Sequence, residues 1–293
     1  MLSKREATIK KITEIEPALL CPICNQSLSW SNNQMQCINH HAFDVAKKGY
    51  LNLAPQHLEK YYTQELFEAR QKIMGELELY DGLYSLLLNI LKKEVENNKQ
   101  IRMLDLGSGE GSHLQLLYND WLERFPKNDP LFIGLDIAKE GIQTAAKYYQ
   151  DPLWLVADLS HIPFDDNSVD GILTILSPSN YEEIQRVLKK KEGWFIKVIP
   201  GSNYLKELRE IVLPEEEVEY DPSNILSHFK ENFSSTYKKE TFYQRVPIEK
   251  EYLESLIEMT PLTQHIDKKT KEFLFDEVKH ITVDLIILFV KNR

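Results

Sequence analysis

The sequence contains no apolar run long enough for a transmembrane helix, and its charged first residues lack the apolar core of a signal peptide. These absences argue against a helical membrane protein and make the cytoplasm the expected location. Cysteine is scarce: there are three, all between positions 21 and 37. An odd number of thiols in a chain without an export signal is a poor disulfide framework, and metal binding explains their crowding better. Positive charge is in deficit too, with 35 Lys and Arg against 45 Asp and Glu for a net charge of -10. At first sight that argues against a nucleic-acid partner. The deficit is uneven, because residues 1–55 carry +2 and the remainder -12, so a local basic face is allowed. Internal repeats and low-complexity linkers are missing as well. What is present is ordinary for a globular chain, 42% apolar and 27% charged, and 293 residues suit one large α/β domain plus a small module.

Residues 1–20 read as a short charged lead-in, partly helical. Residues 21–55 hold the cysteines, several turn residues and little apolar periodicity, so metal is expected to replace a core there. Apolar residues recur at helical spacing over Glu65–Met74 and Leu83–Lys92. From Ile101 onward, strand-like runs (Ile101–Leu106, Leu131–Asp136, Leu153–Ala157, Gly171–Leu176, Trp194–Ile199) alternate with helical stretches. Leu114, Leu117, Trp121 and Phe125 line one helix face; Ile142, Ala145 and Ala146 line a second, and Ile184, Val187 and Leu188 a third. This alternation predicts a parallel, doubly wound α/β sheet of Rossmann-like type. Thr241–Val246 and Ile281–Val290 are expected to add two strands, the last central or well covered because it is strongly apolar.

The segment Leu104-Asp105-Leu106-Gly107-Ser108-Gly109-Glu110-Gly111 follows a predicted strand and opens a predicted helix near Ser112. Glycines 107, 109 and 111 allow a tight turn and close approach to a ligand, and the helix start offers free N–H groups. Asp136 ends the second strand, where a doubly wound fold places the acid that binds ribose hydroxyls. The spacing is GxGxG rather than the dinucleotide GxGxxG. Asp105 before the first glycine would repel a phosphate and attract an ammonium group. A tight turn with surface acids, and a nicotinamide site, are the competing readings. With these features the segment resembles class I S-adenosylmethionine methyltransferases. That resemblance places Asp158, after the third strand, near the adenine, and matches the stretch from Ile162 to Asp170 before the fourth.

Cys21-x2-Cys24 and, twelve residues on, Cys37-x3-His41 form a Cys3His pattern for tetrahedral zinc, closed to water and therefore structural. Metal binding of roughly 10–16 kcal/mol could carry the folding of a segment without its own core. His40 competes with His41 as the fourth ligand, and three free thiols near two histidines by chance is the bland alternative.

Taken together, Cys21, Pro22, Cys24, Cys37, His41, Phe43, Asp44, Ala46, Lys47, Gly49, Tyr50, Asn52 and Leu53 resemble the N-terminal signature of the RlmA family. The likeness continues at Glu68-Ala69-Arg70, the glycine turn, Pro200-Gly201 and Met259-Thr260-Pro261. The resemblance selects His41 as ligand and adds Tyr80 and Tyr204 to the cofactor contacts. It implies methylation of guanine N1 in a 23S ribosomal RNA hairpin loop, and a homodimer. The organisation it implies is a zinc-binding, RNA-recognising module over 1–56, connecting helices over 57–95 and the methyltransferase domain over 96–293. Departures are Lys191-Glu192-Gly193 for Pro-Gly-Gly, Gln71 for an arginine, and a stretch between Pro55 and Glu65 that is less basic than an RNA clamp should be.

Lys47, Lys48 and the aromatic Tyr50 would then grip the hairpin, with the target base leaving its stack to reach the methyl. The loop Ser177-Pro178-Ser179-Asn180 would bind the base edge. No residue stands out as acceptor of the guanine proton, although Asp105, Glu182 and Glu183 are nearby in principle. The alternatives are a small-molecule methyltransferase with a purely structural zinc module, and a catalytically silent RNA-binding assembly factor.

Overall fold

The structure is a computed structural model, and it describes residues 2–54, 62–96, 100–233 and 237–292. Helix α1 (Lys4–Ile15) opens the chain on a capping box, with Ser3 and Glu6 satisfying each other's backbone N–H groups. Three short strands follow, β1 (Leu28–Ser31), β2 (Gln34–Cys37) and β3 (Ala42–Phe43), then β4 (Leu51–Asn52). Asn32 and Asn33 both adopt positive φ, as a two-residue hairpin turn requires, and join β1 to β2. Two helices, α2 (Gln64–Glu76) and α3 (Leu83–Val95), lead into the alternating core. That core runs β5 (Gln100–Leu106), α4 (Ser112–Arg124), β6 (Asp129–Asp136), α5 (Lys139–Tyr148), β7 (Leu153–Val156), β8 (Gly171–Ile175), α6 (Tyr181–Val187) and β9 (Trp194–Pro200). It closes with α7 (Lys206–Val212), α8 (Ser223–Asn232), β10 (Lys238–Pro247), α9 (Lys250–Met259), α10 (Lys268–Glu277) and β11 (His280–Lys291).

The main sheet has the order β10-β11-β9-β8-β5-β6-β7-β4, parallel throughout except at β11, which runs against β9 and β10. Strand order reverses at β5, so the carboxyl end of β5 is the switch point where a doubly wound sheet opens a crevice. Parallel strands must be covered on both sides, and successive side chains serve opposite faces. Ile101 and Met103 therefore join one core with α2 to α5, α9 and α10, while Leu104 and Leu106 join the other with α1, α6 and α8. Strand β11, sandwiched between two neighbours, is buried along nearly its whole length, as its composition predicts.

The seven expected strands of the main sheet are all present, with ends within three residues of the expected ones. The first 54 residues depart from expectation. Leu28, Met35, Phe43 and Val45 are buried in the same core as Leu104, Ile133 and Leu155, and β4 pairs in parallel with β7. Metal therefore supplements a core shared with the sheet instead of replacing one. Tyr50 is another correction: it is 6% exposed and its hydroxyl accepts a hydrogen bond from Gln143 at 3.2 Å, so it presents no face to a nucleic acid. Lys47 and Lys48 are exposed, the latter bonded to the Gln143 side chain. Most of the stretch between Pro55 and Glu65 lies outside the described residues, and with it the expected boundary between 56 and 57.

Candidate functional site

Two knuckles assemble the metal centre. Asn25 N–H bonds to Cys21 O at 2.9 Å and takes a positive φ, folding the first pair back on itself. His40 N–H bonds to Cys37 O, again with positive φ at His40, and this turn brings His41 back over β2. The three Sγ atoms and the His41 ring nitrogen lie within 4.8 Å of one another. His41 Nδ1 is 3.5 Å from both Cys21 Sγ and Cys37 Sγ, and Cys24 Sγ is 3.6 Å from Cys37 Sγ. Zinc with Zn–S of about 2.3 Å and Zn–N of about 2.05 Å has tetrahedral edges of about 3.5–3.8 Å, so the donor set fits that ion without rearrangement. His40 faces Gln36 instead, which leaves His41 as the fourth donor. Backbone N–H donation, chiefly from Gln26, holds the Cys24 thiol down at about 6, while burial pushes Cys21 up to about 11.

The glycine turn sits at the switch point. Gly107, Gly109 and Gly111 all have positive φ, a region that side chains with Cβ rarely adopt. A Cβ on Gly107 would lie 2.5 Å from Ser177 Cβ, and one on Gly111 would lie 2.4 Å from the Trp154 ring. At Gly109 the nearest atom is a Phe67 ring carbon at 3.6 Å, so this middle glycine faces α2 across open contact distance. Asp136 accepts hydrogen bonds from Gly109 N–H and Ala138 N–H, both at 2.8 Å, and so fastens the turn to the end of β6. Ser112 is the first residue of α4, but its hydroxyl meets Tyr149 at 3.0 Å, which leaves its backbone N–H for a ligand. Asp158 is exposed beyond β7 and caps the Ser160 N–H at 2.8 Å, at the same sheet edge as Asp136.

Buried charge is concentrated here. Burial, then the neighbouring Asp136, pushes the Asp105 carboxyl up to about 8, and burial also raises Asp136. Glu110 is 1% exposed and its carboxylate meets Arg70 Nε at 2.9 Å, yet neither carboxylate oxygen has a hydrogen-bond partner. Ser108 Oγ is unpartnered too. Three buried or half-buried acids beside a glycine turn, with one of them, Glu110, short of donors, favour a cationic ligand with polar arms. S-adenosylmethionine, with its ammonium and sulfonium charges, fits that set. Tyr80 and Tyr204, 124 positions apart, meet hydroxyl to hydroxyl at 2.9 Å, and both line a cavity with Arg70.

That cavity, of about 700 Å³, opens along the carboxyl ends of β8 and β9. Its walls include Phe67 and Arg70 of α2, the loop Ser177-Pro178-Ser179, Tyr181, and Lys197 of β9. Leu176, which leads into the loop, holds a positive φ of 54°, a strained state for a branched residue and one that clusters at functional sites. Of the acids nearby, Glu183 accepts the Ile162 N–H and pairs with Arg186, both at 2.7 Å, so its carboxylate is structurally committed. Glu182 is exposed.

Arg70, Glu110 and Lys197 gather at the site without having stood out as site residues in the sequence. Lys197 does have a sequence signal: it is the one charge in Trp194-Phe195-Ile196-Lys197-Val198-Ile199, an otherwise apolar strand. Arg70 has only its place in the Glu68-Ala69-Arg70 likeness, which assigns it no role, because a charged residue on an amphipathic helix is otherwise ordinary.

Two family models match separate parts of the chain. Residues 19–60 match the family model described as RlmA, N-terminal, and residues 104–196 match one described as Methyltransferase domain. The chain is 33% identical over 273 residues to the Bacillus subtilis protein named "Putative 23S rRNA (guanine-N(1)-)-methyltransferase YxjB", covering 92% of this chain and 95% of that one. It is 30% identical to the 23S rRNA (guanine(748)-N(1))-methyltransferase of Streptomyces fradiae, over 65% of this chain and 66% of that one. Among solved structures, the YcgJ protein of Bacillus subtilis superposes with a TM-score of 0.46 at 19% identity, over 71% of this chain and 99% of that one. A third of the residues identical over 92% of the chain, together with the RlmA match at its N-terminal residues, shows that the chain belongs to the RlmA family of 23S rRNA (guanine-N1)-methyltransferases.

Proposed function

We propose that this protein transfers a methyl group from S-adenosylmethionine to N1 of a guanine in a hairpin loop of 23S ribosomal RNA. The observation that carries the reading is the juxtaposition of buried acids on a glycine turn with a cavity walled by Ser177, Ser179 and Tyr181. The cofactor supplies a methyl group activated by sulfonium charge. Asp105, Gly107, Gly109, Gly111 and the Ser112 N–H hold its amino-acid arm, Asp136 its ribose and Asp158 its adenine. Tyr80 and Tyr204 close the pocket from the side of α2. The loop from Ser177 to Asn180 binds the edge of the extruded base, and alignment of nucleophile with methyl is the main service of the protein.

Cys21, Cys24, Cys37 and His41 hold a structural zinc. The module over 1–56 meets the RNA through Lys47 and Lys48, residues 57–95 connect, and residues 96–293 carry the chemistry. The protein works in the cytoplasm, and its assembly is a homodimer.

The test is mass mapping of methylated guanines in 23S ribosomal RNA from cells with and without the protein, paired with transfer from labelled cofactor to a 23S transcript in vitro. One guanine position should lose its N1-methyl mark in the deletion and regain it in vitro. Ribosomal RNA that is identical in both strains, with no label transferred, refutes the substrate assignment. Salt-sensitive RNA binding distinguishes this reading from a small-molecule methyltransferase, because phosphate contacts release counterions.

A further inference from the structure

Methylation at guanine N1 requires the ring proton to leave, and among the described residues the carboxylates near the loop are committed elsewhere (Glu183), exposed (Glu182) or buried at the glycine turn (Asp105, Glu110). We propose that Lys197 is the general base: its uncharged amine takes the N1 proton of the target guanine. The inference rests on the guanine-N1 reading above.

The geometry is unusual for a lysine. Its residue is 4% exposed and lies in mid-strand on β9, on the face shared with Thr174 of β8. Buried lysines are rare and are normally paired with a carboxylate. Here Nζ donates to Ser179 Oγ at 2.6 Å and to Ser177 O at 3.3 Å, and among the described residues it has no ion-pair partner. Both partners belong to the loop that borders the cavity. The same loop touches the cofactor turn, because Ser177 Oγ donates to Leu106 O at 2.6 Å and its Cβ fills the space beside Gly107. The amine is thus held on the cavity wall, one residue from the turn that faces the cofactor.

Burial without a countercharge favours the uncharged amine, and the cation–π contact with Tyr181 offsets it only in part. Thr174 lies beneath it on β8, Tyr181 of α6 has its ring centroid 5.8 Å away, and His228 of α8 packs on Tyr181 at 5.0 Å. From the far wall come Arg70 of α2 and the phenols of Tyr62, Tyr80, Tyr204 and Tyr220. On the other flank, β11 places Leu288 opposite Lys197. Among the described residues no Asp or Glu lines the cavity. Burial alone brings the Lys197 ammonium down to about 8. A base whose pKa sits near working pH combines a usable free fraction with enough driving force to accept a proton.

The step balances as follows. The Nζ lone pair accepts the N1 proton, and the electron pair left on N1 forms the bond to the methyl carbon. The carbon–sulfur bond breaks with its electrons returning to sulfur. The products are N1-methylguanine, S-adenosylhomocysteine and the Lys197 ammonium, which returns its proton to water once the RNA departs. Ser179 keeps the amine aimed while its charge changes, since a hydroxyl serves as acceptor for the ammonium and as donor to the amine.

The test uses full-length, zinc-loaded protein, S-adenosylmethionine and a 23S transcript carrying the hairpin, with single-turnover rates measured from pH 6 to 9.5. Wild type should rise tenfold per pH unit and level off near pH 8. Lys197→Met should lose at least about 100-fold at pH 7.5, keep cofactor affinity within about twofold as a check on folding, and lose the plateau. Its rate should climb throughout, because ionisation of the guanine alone remains, so the gap to wild type narrows at high pH. Lys197→Arg should be as slow as the Met variant, since a guanidinium accepts no proton. A fast Lys197→Arg enzyme, or a flat wild-type profile between pH 6.5 and 8.5, overturns the role. A wild type that methylates no guanine N1 overturns the substrate reading and this inference together, whereas an active wild type beside an active arginine variant overturns this inference alone.

Discussion

Replacing Asp105 by Asn tests whether the glycine turn is built for a cation. In the free protein burial and Asp136 hold the Asp105 carboxyl up at about 8. A bound ammonium at about 4 Å in a medium of effective dielectric near 20 attracts a carboxylate by roughly 4 kcal/mol. At 1.36 kcal/mol per unit, that attraction lowers the bound-state value by about 3 units, to about 5. Below its free-state value the carboxyl must release a proton to pair with the ligand, so affinity rises with pH. Between about pH 5 and 8 the gain is about tenfold per unit, and above the free-state value it is level. Asp136, also raised, adds a smaller dependence of the same sign that survives the substitution. Asp105→Asn should therefore bind S-adenosylmethionine roughly 10²–10³-fold more weakly than wild type at pH 8.5, and within a few-fold of it at pH 5.5, where the wild-type acid is protonated before binding. Isothermal titration in buffers of different ionisation enthalpy reads both the affinity and the proton released, with zinc content checked at each pH. Equal affinity of the two proteins at pH 8.5, or a wild-type affinity that stays level from pH 6 to 8, refutes the reasoning.

Gly111→Ala places a Cβ 2.4 Å from the Trp154 ring at a φ of +84°, so it should destabilise the fold by about 2–4 kcal/mol in denaturant titration; a change below about 0.5 kcal/mol contradicts the packing described. Stripping the metal with a chelator, or the substitution Cys24→Ser, should lower the melting temperature of the whole protein and not of an isolated module. The reason is that Leu28 and Met35 share a core with Leu104 and Ile133. Calorimetry alongside metal analysis decides this, and an unchanged single transition after complete metal loss goes against it. Arg70→Leu leaves the 1% exposed Glu110 without its cation, at a cost of about 3 kcal/mol after allowing for the partial exposure of the arginine. Adding Glu110→Leu should recover much of that loss, and a neutral single variant would show the ion pair to be inconsequential.

The parallel strands were legible because both their faces are buried, so each reads as an unbroken apolar run between helical stretches. Their order was not written in the runs, yet the cofactor turn could still be placed, because a glycine cluster between a strand and a helix specifies the switch point locally. The metal module shows the opposite case. Strands as short as β3, with two residues, carry no measurable alternation, so in the sequence the apolar residues at 28, 35 and 43 look scattered and imply a missing core. The place of Tyr50 is hidden for a related reason: two neighbouring lysines suggest a wet surface, whereas the chain turns at Gly49 and carries the ring inward against α5.

The chemistry of the site was hidden for a deeper reason. Proton affinity belongs to a group and its surroundings together, and the surroundings of Asp105 and Lys197 come from elements far apart in the chain. Asp105 meets Arg70 from α2, Glu110 from the turn and Asp136 from β6. Lys197 is enclosed by a loop, two helices and the neighbouring strands, and among the described residues none of these places an acid on the cavity wall. A lysine within an apolar strand thus poses a question in the sequence that only the packing answers. Had any one of those elements placed a carboxylate beside Nζ, the same residue would be an inert ion pair; without one, it is an amine able to exchange a proton near neutral pH.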